Sequence, residues 1–258
     1  MKPDAINHSS IQTAYDEQYT DQMTEWREIG GKYKAANILK VCGDHKFNKV
    51  VEYGAGEGSI LKYLDSSGTF SELYALELSE TGISQILKRN LPRLKEVKKF
   101  NGYETPYTDK EFDLAYCSHV IEHVEYPRLL LREIRRISHF QVFEIPLDYS
   151  NDVDSKIKYF LSYGHINIFT PSLFKFLLKS EGYEIISEHF SHTSVEVIRL
   201  NWYKNRRLKK TFLRESILRL RPVYLALKRL LQRKSYFEEY GYNAYTCLAV
   251  GSGELKVL

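Results

Sequence analysis

The chain is poor in cysteine. Its 258 residues hold three, Cys42, Cys117 and Cys247, and these do not fall at the paired spacings of a metal site. Two of them lie in apolar, strand-like runs, so all three read as reduced core residues of a cytoplasmic protein. No apolar run approaches the roughly eighteen residues that span a bilayer. Met1 to Ser10 is polar and lacks an apolar stretch, so no secretory leader is expected. Membrane-spanning and disulfide-stapled secreted classes are thereby set aside.

What the chain does contain is ordinary in bulk and uneven in detail. Apolar residues at 43% and charged residues at 27% suit a globular domain with one large core. Twenty tyrosines imply many surfaces that are half wet and half buried. The formal net charge is only +4, yet Arg199 to Lys234 carries thirteen Lys and Arg against Glu215 alone. That segment is a basic block on an acidic background.

The stretch that organises the sequence is Val50-Val51-Glu52-Tyr53-Gly54-Ala55-Gly56-Glu57-Gly58. A buried strand breaks into alternating glycines, and Ile60, Leu61 and Leu64 then follow at helical spacing. Strand, glycine turn and helix together let a ligand approach the backbone and meet the positive end of a helix. The third glycine of a dinucleotide fingerprint is missing, since Ser59 stands there. Leu73 to Leu78 reads as a second strand with Glu77 near its tip, and Ser79 caps the helix after it. A carboxylate at that place in a βαβ unit can accept both hydroxyls of a ribose. Further strands are expected at Val97–Phe100, up to Ser118, at Phe140–Pro146, at Tyr183–Phe190 and at Tyr245–Val250. Residues 1–47 read as a helical lead-in, with Tyr15, Tyr19, Met23 and Trp26 at helical intervals and Gly30-Gly31 as an interruption.

Gly-x-Gly-x-Gly with Glu52 two residues ahead resembles motif I of the class I S-adenosylmethionine-dependent methyltransferases. Pro106-x-x-Asp109-x-x-Phe112-Asp113 is similar to the approach to the fourth strand in their type 11 branch. Ile145-Pro146 after a short fifth strand is similar to a methionine-biosynthesis relative. The resemblance covers about residues 48–190. It implies a doubly wound, seven-stranded Rossmann-like α/β sheet with an N-terminal helical cap and a basic helical insert before the last strand. It implies S-adenosyl-L-methionine as cofactor, with Glu52, Gly54, Ala55, Gly56 and Gly58 around the amino-acid portion. Glu77 and Leu78 would then lie at the ribose, Asn101 and Gly102 at the adenine, and Ser118 at the tip of the fourth strand. The divisions expected are 1–47, 48–198, 199–240 and 241–258.

Methyl transfer needs an aligned nucleophile, and a hydroxyl acceptor also gains from a base. His119, His123, Asp148 and His165 fall after strands four and five, where such groups belong, and His119, His123 and His165 are the catalytic candidates. His119-Val120-Ile121-Glu122-His123 also spells the H-x-x-E-H of metallopeptidases, but that signature needs a long helix and a further ligand. Glu122 and His123 match the end of a Glu-x-x-Glu-His metal site in ubiquinone-type O-methyltransferases. His119 replaces its first Glu, and no metal is assigned.

The basic block reads as a helical hairpin broken near Pro222, with Leu208, Phe212, Leu213, Ile217 and Leu220 on one arm and Val223, Tyr224, Leu227, Leu230 and Leu231 on the other. Its stripe and charge suit an anionic membrane surface over a nucleic acid, although Trp202 and Tyr203 keep RNA stacking open. The function expected is methyl transfer to a hydroxyl or amine of a small molecule or lipid-linked glycan, by a cytoplasmic protein peripheral to the membrane. An RNA methyltransferase and a non-catalytic cofactor-binding partner are the alternatives. The sequence assigns no oligomeric state.

Overall fold

In β1 (Lys49–Tyr53), Val50 and Val51 are both fully buried although they point to opposite faces. Such a strand has to lie inside a sheet covered on both sides. The computed structural model describes residues 24–149, 153–162 and 164–254 and shows that arrangement. The further strands are β2 (Glu72–Glu77), β3 (Leu94–Lys99), β4 (Phe112–Ser118), β5 (Ser138–Pro146), β6 (Tyr183–Ser191) and β7 (Ala244–Gly251). They form one sheet in the order β3-β2-β1-β4-β5-β7-β6. Strands β1 to β5 run parallel, and β7 lies antiparallel between β5 and β6. The seven-stranded doubly wound sheet is as expected from the sequence.

Two cores sandwich the sheet. On one face, α1 (Thr24–Cys42), α2 (Ser59–Ser67) and α3 (Glu80–Lys88) bury Ile38, Leu61, Leu64 and Ile86 against Val50, Leu114 and Tyr116. On the other, α4 (Pro127–Ile137) and α6 (Pro171–Ser180) bury Leu130, Ile134, Phe174 and Leu178 against Val51, Ala115 and Cys117. A short α5 (Ile157–Ser162) precedes α6, and α7 (Val195–Leu200) follows β6. Next come one turn of π-helix (Asn201–Asn205), α8 (Phe212–Leu231) and α9 (Lys234–Tyr240). All three cysteines are buried free thiols.

Two expectations change. The helical spacing of Tyr15, Tyr19 and Met23 lies outside the described residues, and α1 runs unbroken through Gly30 and Gly31. Gly31 is there for contact: a Cβ on it would stand 2.7 Å from Ser59 Cβ and 2.8 Å from Ser59 C, so only a glycine lets α1 seat on the first turn of α2. The expected hairpin is instead one helix, α8, with Pro222 in its interior. A proline forfeits a single backbone bond to the residue four earlier, and a helix can continue past it.

Strands β1 and β4 are neighbours while the chain proceeds from β1 to β2 on the opposite side. The crevice of an open α/β sheet forms at such a reversal, beyond the carboxyl ends of the strands. The glycine turn after β1 and the histidine run after β4 both end there.

Candidate active site

The turn after β1 is built from left-handed backbone. Gly54, Gly56 and Gly58 have φ of 78°, 57° and 79°, values that favour glycine. Gly54 and Ala55 both donate to Leu76 O at 2.9 Å, pinning the turn to β2. A Cβ on Gly54 would meet Val120 Cγ2 at 2.6 Å, which ties the turn to the segment after β4.

Glu77 is 4% exposed, and its two oxygens accept from Gly56 N at 2.7 Å and Ser79 N at 2.9 Å. It therefore braces the glycine turn against the start of α3. Glu52 is buried beside it and accepts from Tyr116 Oη at 2.8 Å. Burial first of all, countered by the Tyr116 hydrogen bond and by Lys34, pushes the Glu52 carboxyl up to about 8.

These groups open onto a cleft of about 420 Å³, lined also by Leu78, Asn101, Gly102 and Ser118. Of the cofactor residues expected from the sequence, Gly58 alone does not line it. Gly58 turns the chain into α2, and a Cβ there would meet Ile86 Cγ1 at 3.0 Å. Asn101 borders the cleft while its Oδ1 accepts from Tyr103 N at 3.0 Å and Glu104 N at 2.7 Å. That bonding fixes a turn at this end of the cleft.

Another wall of the cleft comes from α1, the helical cap expected at the N-terminus. Trp26, Arg27, Gly30, Gly31 and Lys34 all face the cleft. Burial pulls the Lys34 ammonium below its ordinary range, while the carboxylates of Glu144, Glu122 and Glu52 oppose this. A second network fixes α1 to the turn: Glu57 is 2% exposed and meets Arg27 at 3.4 Å and Arg89 at 3.5 Å, and Arg89 also reaches Glu28 at 2.5 Å. No short motif marked Lys34, Glu57 or Arg89. Only the Gly-Glu-Gly of the turn hinted at Glu57.

The three histidines converge at the other end of the cleft. His119 takes φ 57°, a left-handed value uncommon for a side-chain-bearing residue, and its Nε2 lies 3.3 Å from Glu144 Oε1. His123 Nδ1 donates to Gly164 O at 3.0 Å, and its ring packs edge-on against His165 at 4.8 Å between centroids. Burial lowers the His123 imidazole below its ordinary range. His165 Nδ1 meets Asp148 Oδ2 at 2.6 Å. Burial works against the charged ring of His165, but the Asp148 hydrogen bond and the Glu122 charge raise it above the usual imidazole value. Residues 41 and 42 positions apart meet because Ile166 N and Asn167 N both donate to Glu122 O, at 2.9 and 3.0 Å. Asn167 Nδ2 adds bonds to Ile121 O and Val124 O at 3.3 and 2.7 Å.

Glu122 is 1% exposed, and neither carboxylate oxygen has a hydrogen-bond partner. Donor atoms of Glu122, His123 and His165 lie within 4.8 Å of one another. The arrangement thus offers an acid-lined pocket, one His–Asp pair and a buried carboxylate without a hydrogen-bond partner, whose Oε1 lies 3.5 Å from His119 Nδ1 and 3.9 Å from His123 Nε2.

The comparisons with known proteins agree with this geometry. The family model for a methyltransferase domain matches residues 23–188, well over half of the chain, and the chain belongs to that family. The YrhH protein of Bacillus subtilis (strain 168), which carries a methyltransferase assignment, is 24% identical over 119 residues, 43% of this chain and 66% of its own. The chain thus spans just under two thirds of that relative. Among solved structures, magnesium protoporphyrin IX methyltransferase from Synechocystis PCC 6803 superposes with a TM-score of 0.61 at 11% identity, covering 95% of this chain and 100% of its own. A SAM-dependent methyltransferase from Archaeoglobus fulgidus gives 0.57 at 20% identity, covering 87% and 94%. At these identities the structural likeness is one of fold.

Proposed function

We propose that the protein moves the methyl group of S-adenosylmethionine onto a hydroxyl of a small molecule or lipid-linked glycan, with His165 and Asp148 handling the acceptor proton. The observation that carries this reading is the 2.6 Å contact between His165 Nδ1 and Asp148 Oδ2 at the cleft. The cofactor, when bound, would supply an electrophilic methyl open to in-line attack by an acceptor lone pair, with a neutral sulfide as the leaving group. This chain's residues do the rest. Gly54 and Gly56 keep side chains out of the turn, and Glu77, held by Gly56 N and Ser79 N, stands at the cleft where ribose hydroxyls would bind. With His165 Nδ1 turned to Asp148, proton exchange with an acceptor falls to Nε2. The acceptor O–H bond breaks toward that nitrogen, and Asp148 stabilises the resulting imidazolium. An amine acceptor has only to be neutral and would make less use of the pair.

One observation favours a second reading. The orphaned Glu122 carboxylate beside His123 and His165 is of the donor type that holds a divalent cation, which would orient a hydroxyl acceptor. Calorimetric titration of the apoprotein with manganese separates the two. Binding that Glu122→Gln abolishes supports the cation, and no binding leaves proton transfer to the His–Asp pair.

The acceptor class is tested by methyl transfer from tritiated cofactor into fractionated cell extract. Label in small molecules or lipid-linked glycan supports the reading. Label in RNA replaces it, and cofactor binding without label in any fraction makes the protein a non-catalytic binder.

A further inference from the structure

An amphipathic helix on a globular protein normally turns its apolar stripe inward. In α8 the stripe faces out. Leu218 is the helix's buried side chain, while Leu213, Ile217, Leu220, Tyr224, Leu227 and Leu231 recur every three or four residues and are all half exposed or more. Phe212 and Leu230 widen the stripe at its two ends, at 89% and 81% exposure, and Leu231 reaches 82%. A patch this size on a soluble surface marks an interaction site.

The helix is held in this orientation. Thr211 caps its first turn, Arg199 donates to Glu215 at 3.0 Å, and Arg221 donates to the carbonyl of Thr193 at 2.7 Å. Exposed basic residues gather at its two ends: Arg229, Arg233 and Lys234 at one, and Arg206, Arg207, Lys209 and Lys210 in the loop before the other. An exposed apolar arc between basic ends is the composition of helices that lie in the headgroup layer of a bilayer. No helix among the described residues is long and apolar enough to cross one.

Charge chooses the occupant. A second copy placing its own α8 on this stripe would set basic end against basic end. A nucleic acid would engage the ends and leave the leucines in water. An anionic lipid surface satisfies both at once.

We propose that the outward face of α8 docks this protein on an anionic lipid bilayer. The helix is joined to the cleft through α7, whose Val197 lines it and whose Glu196 is bonded to Lys32 and Tyr33 of α1 at 3.2 and 3.0 Å. Docking would therefore bring the cleft near the bilayer surface. That an acceptor is then drawn from the membrane rests on the methyl-transfer reading above, whereas docking itself does not.

The test is flotation of the full chain with vesicles of phosphatidylcholine alone or with phosphatidylglycerol added, and it needs no turnover. The wild type should float with anionic vesicles, and the bound fraction should fall as salt rises from about 0.05 to 0.5 M. Leu220→Glu with Leu227→Glu, and separately Arg229→Glu with Arg233→Glu and Lys234→Glu, should each weaken binding by about tenfold or more. Unchanged S-adenosylhomocysteine affinity shows that both variants are folded. Absence of binding to anionic vesicles at low salt, or equal binding to neutral ones, overturns the proposal. So does a dimer in sedimentation equilibrium that the leucine variant dissociates, or RNA retained in place of vesicles.

Discussion

Gly31 lies so close to the first turn of α2 that a Cβ on it would stand 2.7 Å from Ser59 Cβ, whereas a Cβ on Gly30 would find nothing within 4 Å. Two adjacent glycines in one helix therefore do different work. Gly31→Ala should cost about 1–3 kcal/mol through overpacking. Gly30→Ala should leave stability unchanged or raise it by about 0.5–1 kcal/mol, because it removes glycine's entropy cost in a helix. Thermal unfolding of the cofactor-free variants checks the pair, and equal effects would separate α1 from the packing described.

Glu77 braces the glycine turn and faces the cleft, so its loss should register in cofactor affinity. Glu77→Ala should weaken S-adenosylhomocysteine binding by about 1.5–3 kcal/mol, roughly ten- to 150-fold. Calorimetry is the check. Unchanged affinity would remove Glu77 from the site.

Glu52 is buried, and its folded-state pKa is raised to about 8. The sign follows from linkage. The folded protein holds a proton that the unfolded chain releases near 4.5, so stability is greatest below that value and is lost as pH rises through about 8. In the cofactor-free protein, Glu52→Gln should flatten the fall in unfolding temperature between pH 6 and 9. Identical pH profiles for the two proteins would show that Glu52 does not titrate in this range.

The sheet was legible in the sequence because its strands are continuous apolar runs, and the turn because its glycines alternate. Val50 and Val51 signal a strand covered on both faces. Gly54 and Gly56 signal backbone that a ligand can approach. What could not be read was long-range. Gly30-Gly31 looks like a helix break until Ser59 is seen against it, and Pro222 looks like a hinge until α8 passes through it. Lys34 carries no local motif, because its role is set by Glu52, Glu122 and Glu144 on three separate strands or turns. The direction in which α8 turns its stripe depends on what it packs against, and periodicity reports only that a stripe exists. His165 and Asp148 were both candidates from position, but their pairing was not, since no spacing rule sets two loops against each other.

The account rests most directly on the pairing of His165 with Asp148. Its decisive measurement is turnover against pH, on whichever extract fraction accepts the labelled methyl, for the wild type, Asp148→Asn and His165→Ala. His165 must be neutral to take a proton, and its pKa is raised above 6.5. Wild-type turnover should therefore fall on the acid side with a midpoint above that value. Asp148→Asn should move the midpoint to lower pH, and both variants should lose about 10²- to 10⁴-fold in rate with cofactor affinity intact. Wild-type rates in both variants, with no shift in the acid limb, would contradict the account.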